Sequence, residues 1–296
     1  MNQKIYGYME LLRPFTLLAP LIVSSCVMIA SLVFSGITEL SVLNVFLIVF
    51  PASMCFALLN GASNALNQAT DYKEDAISKP YRPIPKGIFT VKEAFHISFI
   101  FYSIAIVLSL FIHFTFSLFI FCIALFSITY SLPPRMKKHL LINQIWVALS
   151  RGLLGILASW SVFGNPFQPL PIAIGSIAAL FLFGGTATKD ILDTNADRIA
   201  GTKTLVNVYG LQKAAKISLF FMGGSFGLIL PLIAFHIIDI SFLPLSCLIV
   251  LSVIIYWLMI HNRKNETYEN TSSWTLMYAT YFLFALGFAF ITIFSA

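Results

Sequence analysis

The chain has 296 residues, of which 58% are hydrophobic and only 10% charged, with a net charge of +6. A water-soluble domain carries about 25% charged residues, so this composition excludes an ordinary soluble fold, and with it the basic face that nucleic-acid binding needs. Four cysteines without CxxC spacing, and five histidines without a ligand-spaced partner, leave no zinc site.

In chain order, Lys4 and Arg13 precede an apolar run that starts at Phe15. A secretory signal peptide is the rival reading, but the run is too long for one and leads into further apolar segments. It is read as the first membrane span, at 15–34. Further spans are expected at 43–66, 95–112, 115–131, 141–162, 170–187, 217–237, 242–260 and 274–295. Charge tests that order. Lys73, Lys79, Arg82, Lys86 and Lys92 follow span two; Arg135, Lys137 and Lys138 follow span four. Lys189, Arg198, Lys203, Lys213 and Lys216 follow span six, and Arg263 and Lys264 follow span eight. The opposite loops hold no Lys or Arg, only Glu39 and Asp239. The positive-inside rule then places the N-terminus in the cytoplasm and the C-terminus outside. Most of this one-sided charge serves topology and contact with anionic headgroups. Cys26, Cys55, Cys122 and Cys247 all fall inside spans, where they pack as small apolar residues.

Beyond its apolar end, span two continues into NALNQATDYKEDAISKPYRPIPKG (64–87). On a helix, Asn60, Asn64, Asn67, Asp71 and Asp75 fall within an arc of roughly 80°. A solvated helix end explains one such acid, but not three asparagines inside an apolar span. The pattern recurs after span six, where Thr186, Asp190, Asp193, Asp197 and Gly201 share one face. Asp193 and Asp197 follow Asp71 and Asp75 by the same 122 residues. Both clusters lie just past a span, four spans apart, on one side of the membrane. That suggests two repeated four-helix units with a ninth helix appended.

Face to face, these clusters put five aspartates around one cavity. Two carboxylates at ~4 Å repel by ~4 kcal/mol at an effective dielectric of 20, so the set requires cations. An all-oxygen donor set favours Mg²⁺ or Mn²⁺, and Mg²⁺ is held by one or two carboxylates plus substrate phosphates. The spacing therefore points to a metal-bridged diphosphate with an apolar tail. Lys79, Arg82, Lys189 and Arg198 are placed to take the remaining phosphate charge. Arg151 lies well inside span five, where an arginine costs about 2.5–3.5 kcal/mol on insertion scales. It either snorkels to the helix end or contacts the acceptor or the diphosphate. The same choice stands for Tyr130 and Arg135–Lys138.

Asn67-x3-Asp71-x3-Asp75 followed by Lys79-Pro80-Tyr81-Arg82-Pro83-Ile84-Pro85-x-Gly87 resembles the first aspartate-rich motif of the UbiA superfamily of intramembrane prenyltransferases. Lys189-Asp190-Ile191-x-Asp193-x3-Asp197-x3-Gly201-x2-Thr204-Leu205 resembles the second. The likeness extends to Arg13-Pro14, to Tyr130-Ser131-x-Pro133-Pro134-x3-Lys138, to Asn143 and to Arg151-Gly152, so it covers essentially the whole chain. It implies an all-α, multi-pass membrane protein, 1–296 as a single domain, with nine helices and an active site on the cytoplasmic side (in the cell membrane, for a prokaryote). It implies Mg²⁺-dependent ionisation of an isoprenyl diphosphate and transfer of the prenyl group to an acceptor, with pyrophosphate released. Carried over position by position, Asn67, Asp71, Asp75, Asp190, Asp193 and Asp197 form the catalytic set, with Asp71, Asp75, Asp193 and Asp197 as metal ligands. Arg13, Lys79, Arg82 and Lys189 are diphosphate contacts, and Asn64, Tyr130, Lys138, Asn143 and Arg151 are acceptor or cavity candidates. The motifs look most like branches that use C20-type donors, whose acceptors are a quinone-type aromatic ring, a chlorin carboxylate or a glycerol hydroxyl; the aromatic ring is favoured. Two rivals stand apart. The Asp-Gly-x2-Ala-Arg pattern of CDP-alcohol phosphotransferases is not found, and an ion-coupled transporter would place its carboxylates nearer the bilayer midplane.

Overall fold

The computed structural model describes residues 3–37, 39–261 and 271–295, and among them the regular structure is helical, without strands. Among the described residues, nine helices are long and apolar enough to cross a membrane: Pro14–Phe34, Val42–Thr70, Val91–Leu110, Phe114–Ser131, Ile142–Trp160, Pro169–Thr188, Leu211–Ala234, Ile240–His261 and Ser272–Ser295. The expected order holds. Arg263 and Lys264 lie outside the described residues.

The boundaries differ where polar residues carry a helix past its apolar segment. Span three starts at Val91 rather than 95, because Thr90 and Glu93 form a reciprocal capping box that holds the first turn. Span seven starts at Leu211 rather than 217, so that Lys213 and Lys216 ride on its first turns. Span two runs to Thr70. A helix that hydropathy does not reveal, Gln3–Leu12, precedes span one, and Leu11 on it is fully buried. The chain turns between the two at Arg13, whose φ of 56° lies in the left-handed region; Pro14 then opens span one, where a missing N–H has no consequence.

Span one lies against spans two, five and nine; span two against three and four; span six against five and seven; and span eight against seven and nine. One apolar core gathers residues of spans two, three and four, including Phe56, Tyr102 and Phe116. A second gathers spans five to nine around Trp160, Phe181, Phe226 and Phe288. Outward-facing apolar side chains such as Val42, Phe111 and Phe235 are more than three-quarters exposed, as expected of a surface solvated by lipid tails. A cavity of about 350 Å³ lies between the cores. Spans one, two, four, five, six and nine line it, and spans three, seven and eight do not.

Candidate active site

Both aspartate clusters open onto this cavity: Asp71, Asp75, Asp190, Asp193 and Asp197 all line it. Span two does not run on unbroken. Its helix stops at Thr70, Asp71 adopts φ −105° and ψ 16°, and a short helix, Tyr72–Ser78, follows. The Asp71 N–H still bonds to the Asn67 carbonyl (3.0 Å), and the Asp75 N–H to that of Asp71 (2.8 Å), so the four-residue spacing survives the break. The second cluster sits on helix Asp190–Ile199, after a 3₁₀ turn at Thr186–Thr188. That helix ends at Gly201, whose φ of +70° lets Thr202 N–H reach the Asp197 carbonyl at 2.8 Å. The resulting Schellman closure needs a residue free of a Cβ at that point.

Each aspartate-bearing end is neutralised by cations of the chain itself. Lys137 Nζ contacts both Asp71 carboxylate oxygens at 2.6 Å and donates to Asn67 Oδ1 at 2.7 Å. Arg135 Nη2 donates to the same Asp71 at 2.7 Å. Arg82 pairs with Asp75 at 2.5 Å, with both side chains buried. Lys79 Nζ crosses from the first cluster to Asp193 on the second at 2.6 Å. Lys189 reaches the Tyr130 hydroxyl at 3.5 Å and lies 5.9 Å from its ring centroid. Burial pushes the Asp190 carboxyl up to about 7 despite the pull of Lys189. Burial, and then the charge of Asp193, raise Asp197 to about 6. Lys137 is lowered to about 8, since burial outweighs the attraction of Asp71.

The structure revises several expectations. The asparagine ladder divides. Asn67 joins the charged cluster, whereas Asn60 and Asn64 donate their amides to the Thr16 and Leu12 carbonyls at 2.9 Å, bracing the turn at Arg13 while still lining the cavity. Lys138, chosen from its motif, lines the cavity but donates to the Ala200 carbonyl (3.2 Å) and stands 3.9 Å from Glu74. Its neighbour Lys137 is the residue seated on Asp71, because the 3₁₀ turn Met136–Lys138 points the two lysines apart. Arg198 is exposed and outside the cavity lining. Arg13, Lys79, Arg82, Tyr130 and Lys189 line it as expected, and so does Asn143, whose Oδ1 is buried without a hydrogen-bond partner.

Arg151 does not snorkel out of the bundle. Its side chain is exposed into the cavity from the middle of span five. There the helix widens into a π segment, Ala148–Leu153, a form that recurs at functional sites. The Arg151 carbonyl accepts the Tyr281 hydroxyl at 3.2 Å. Next to it, Gly152 meets span six so closely that a Cβ would lie 2.5 Å from the Ala179 Cα. A glycine here lets the two backbones touch and fixes the direction of Arg151.

The donor chemistry suits a hard cation. The oxygen donors around the cavity are carboxylates, amides and hydroxyls, without a lining His or Cys among the described residues, and Asp190 Oδ2 is buried without a hydrogen-bond partner. Among the described residues no three His, Cys, Asp or Glu side chains converge into a cage. Such a site fits an ion held by one or two carboxylates and completed by phosphate oxygens, the usual habit of Mg²⁺.

A model of the UbiA prenyltransferase family matches residues 17–280. The digeranylgeranylglyceryl phosphate synthase of Methanobrevibacter smithii is 27% identical over 285 residues, spanning 95% of this chain and 97% of that protein. The chloroplastic homogentisate solanesyltransferase of Arabidopsis thaliana is 31% identical over 248 residues, 76% of this chain and 62% of that protein. A solved structure of a UbiA homolog from Archaeoglobus fulgidus bound to DMAPP and Mg²⁺ superposes with a TM-score of 0.69 at 19% identity, over 98% of this chain and all of that one, which shows a shared fold. With nine apolar helices among its described residues, two aspartate-bearing helix ends on one cavity, and the family match over most of its length, the chain is an integral membrane prenyltransferase and belongs to the UbiA family.

Proposed function

We propose that this protein transfers a C20-class prenyl group from its diphosphate to a quinone-type aromatic acceptor, working as one domain with its active site facing the cytoplasm. The observation that carries the reading is the Lys79–Asp193 bridge, which joins the two aspartate-bearing helix ends across a single cavity mouth. The cytoplasmic orientation is supported by the clustering of Lys and Arg on the mouth side, against loops with only Glu39 and Asp239 on the other.

Asp71, Asp75, Asp193 and Asp197 would hold Mg²⁺, with Asn67 and Asp190 completing the catalytic set. When bound, the metal supplies neutralisation of the diphosphate and of the charge that grows on it as the C–O bond breaks. Lys79, Arg82, Lys189 and Arg13 hold the phosphate oxygens by charge-assisted hydrogen bonds, and Lys137 joins them from its seat on Asp71. The C1–O bond of the donor breaks with its electron pair leaving on pyrophosphate. A new bond then forms between C1 and the acceptor carbon, which gives up its proton. Phe126 and Trp146, tilted against each other with ring centroids 4.7 Å apart, line the cavity with Tyr130, Trp274, Tyr278 and Tyr281. These rings exclude water from the allylic cation, stabilise it through their π faces, and give a flat aromatic acceptor a surface to stack on.

A second acceptor class, the hydroxyl of a phosphorylated glycerol ether lipid, is the alternative to this reading. The M. smithii relative, whose name specifies that product, matches 95% of this chain. The test is pyrophosphate release by the purified protein in lipid with geranylgeranyl diphosphate, with and without Mg²⁺, against homogentisate, a dihydroxynaphthoate, 4-hydroxybenzoate and geranylgeranylglyceryl phosphate. Mg²⁺-dependent release with an aromatic acceptor supports the first reading. Release with the glyceryl phosphate alone replaces it with the second, and no release with any of them rejects both.

A further inference from the structure

A second, open cleft lies beside the mouth. Arg135, Lys138, His139 and Lys203 line it with the apolar Leu140 and Ile142, and its lining holds no acidic residue. Glu74, 3.9 Å from Lys138, lines the main cavity instead. Two of the cations are engaged toward the active site: Arg135 on Asp71 at 2.7 Å, and Lys138 on the Ala200 carbonyl at 3.2 Å. His139 and Lys203 are exposed, and among the described residues their side chains make no hydrogen bond or ion pair. The three ammonium donors of Lys203 and the ring N–H of His139 thus share a cleft that already carries the charge of its neighbours. Its complement is an anion.

The surroundings narrow the choice. Span four ends at Ser131 and span five begins at Ile142, so the cleft sits where the chain leaves and re-enters the bilayer. Leu141, Ile142 and Ile145 are each more than a third exposed and carry apolar surface from the cleft onto span five; Ile142 and Ile145 share one helical face. Leu141 holds φ at 65°, a costly conformation for a bulky residue that persists where its surroundings impose it. A free phosphate would gain nothing from this apolar rim, whereas a lipid phosphate sits at that level with its chains below it. The cleft also joins two loops, since the Lys203 N–H donates to the Lys138 carbonyl at 3.1 Å. Lys138 follows Lys137, which is seated on Asp71. Lys203 follows Thr202, whose N–H reaches the Asp197 carbonyl. One loop therefore serves the first aspartate cluster and the other the second.

We propose that this cleft binds the phosphodiester of an anionic membrane lipid, whose chains lie along Leu141, Ile142 and Ile145, and that the bound lipid fastens the two loops flanking the mouth. Basic pockets at the ends of spans suit such headgroups, and each lysine near an anionic surface strengthens binding about fivefold. The claim concerns lipid and loops, and it holds whichever acceptor the enzyme uses.

The test is hydrogen exchange of the full chain in nanodiscs, read at the amides of 135–141 and 200–204, with retained lipids counted by native mass spectrometry. The discs are phosphatidylcholine alone, or phosphatidylcholine with about one-quarter phosphatidylglycerol. Phosphatidylglycerol is expected to slow exchange in both segments, the Lys203 N–H included, by about fivefold or more. The wild type should also retain about one more anionic lipid than the double variant His139→Gln/Lys203→Gln. That variant should show no slowing. Lys92→Gln, at an exposed lysine of span three that lines neither cavity, should behave as the wild type. Equal slowing in all three proteins would reflect the general surface potential and overturn the proposal. So would the same slowing by inorganic phosphate in phosphatidylcholine discs, which would make the cleft a free-anion site, or no slowing in the wild type. If the double variant fails to insert, Lys203→Gln alone decides. It must lose part of the slowing that Lys92→Gln keeps, and a result equal to Lys92→Gln rejects the lipid site.

Discussion

Asp71 is held from two sides, by Lys137 and by Arg135, and Asp193 is held by Lys79 from the opposite helix end. Removing either carboxylate takes away one of the proposed metal positions without touching the apolar cores. Asp71→Ala or Asp193→Ala should therefore lower pyrophosphate release by at least about 10³-fold while circular dichroism and membrane insertion stay as in the wild type. Near-normal turnover in either variant would remove the site from this cavity mouth. The two adjacent lysines give a finer contrast. Lys137→Gln strips a buried charge-assisted contact and should raise the donor KM by about 10- to 100-fold, whereas Lys138→Gln, bonded to a backbone carbonyl, should change it by less than about threefold. Equal effects of the two substitutions would contradict the geometry. The aspartates were legible in the sequence because four-residue spacing alone puts them on one helical face. The choice between Lys137 and Lys138 was not, because neighbouring side chains diverge by an angle that only the 3₁₀ turn sets.

At the scale of the helices, hydropathy located all nine spans, since a run of about 20 apolar residues has few other uses. It could not locate their ends where capping residues or lysines extend them, nor the amphipathic helix Gln3–Leu12, whose apolar face alternates with polar residues. The π segment at Ala148–Leu153 was equally hidden, because widening by one residue per turn leaves no mark in composition. Its partner feature was visible only as Arg151-Gly152. The glycine is now explained by the Ala179 backbone, which a Cβ would approach to 2.5 Å. Gly152→Ala forces spans five and six apart, and overpacking of this kind costs about 1–3 kcal/mol. The expected result is a fall of several degrees in the apparent Tm in detergent, together with weakened acceptor binding, since Arg151 moves with its neighbour. A Tm unchanged from wild type would show that the helices yield without consequence.

Across the whole molecule, the spans and the meeting of the two aspartate clusters at one cavity could be read from the sequence, whereas the two apolar cores beside that cavity could not, since they depend on how the helices pack. What could not be read is the electrostatic state of the mouth, which depends on burial. Asp190 and Asp197 titrate at about 7 and about 6, above the ordinary carboxylate value, because burial disfavours their charge. Raised carboxylate values stabilise the fold at low pH, and that contribution is lost as pH rises through 6 and 7. The ligand-free protein should accordingly lose thermal stability between pH 5.5 and 8.0, with the slope flattened in Asp190→Asn. Mg²⁺ with pyrophosphate should raise the Tm more at pH 8.0 than at pH 5.5, where protons compete for the same oxygens; the opposite order in a melting series would refute the assignment. The resident ion pairs bear on the end of the reaction as well. Lys79 on Asp193 and Lys137 on Asp71 mean that the mouth is never bare of positive charge, so loading it is an exchange of counter-ions rather than the filling of a vacancy. The same lysines can return to their aspartates as the multiply charged leaving group departs. A site that re-forms its own bridges between cycles can let go of a product it would otherwise hold too well.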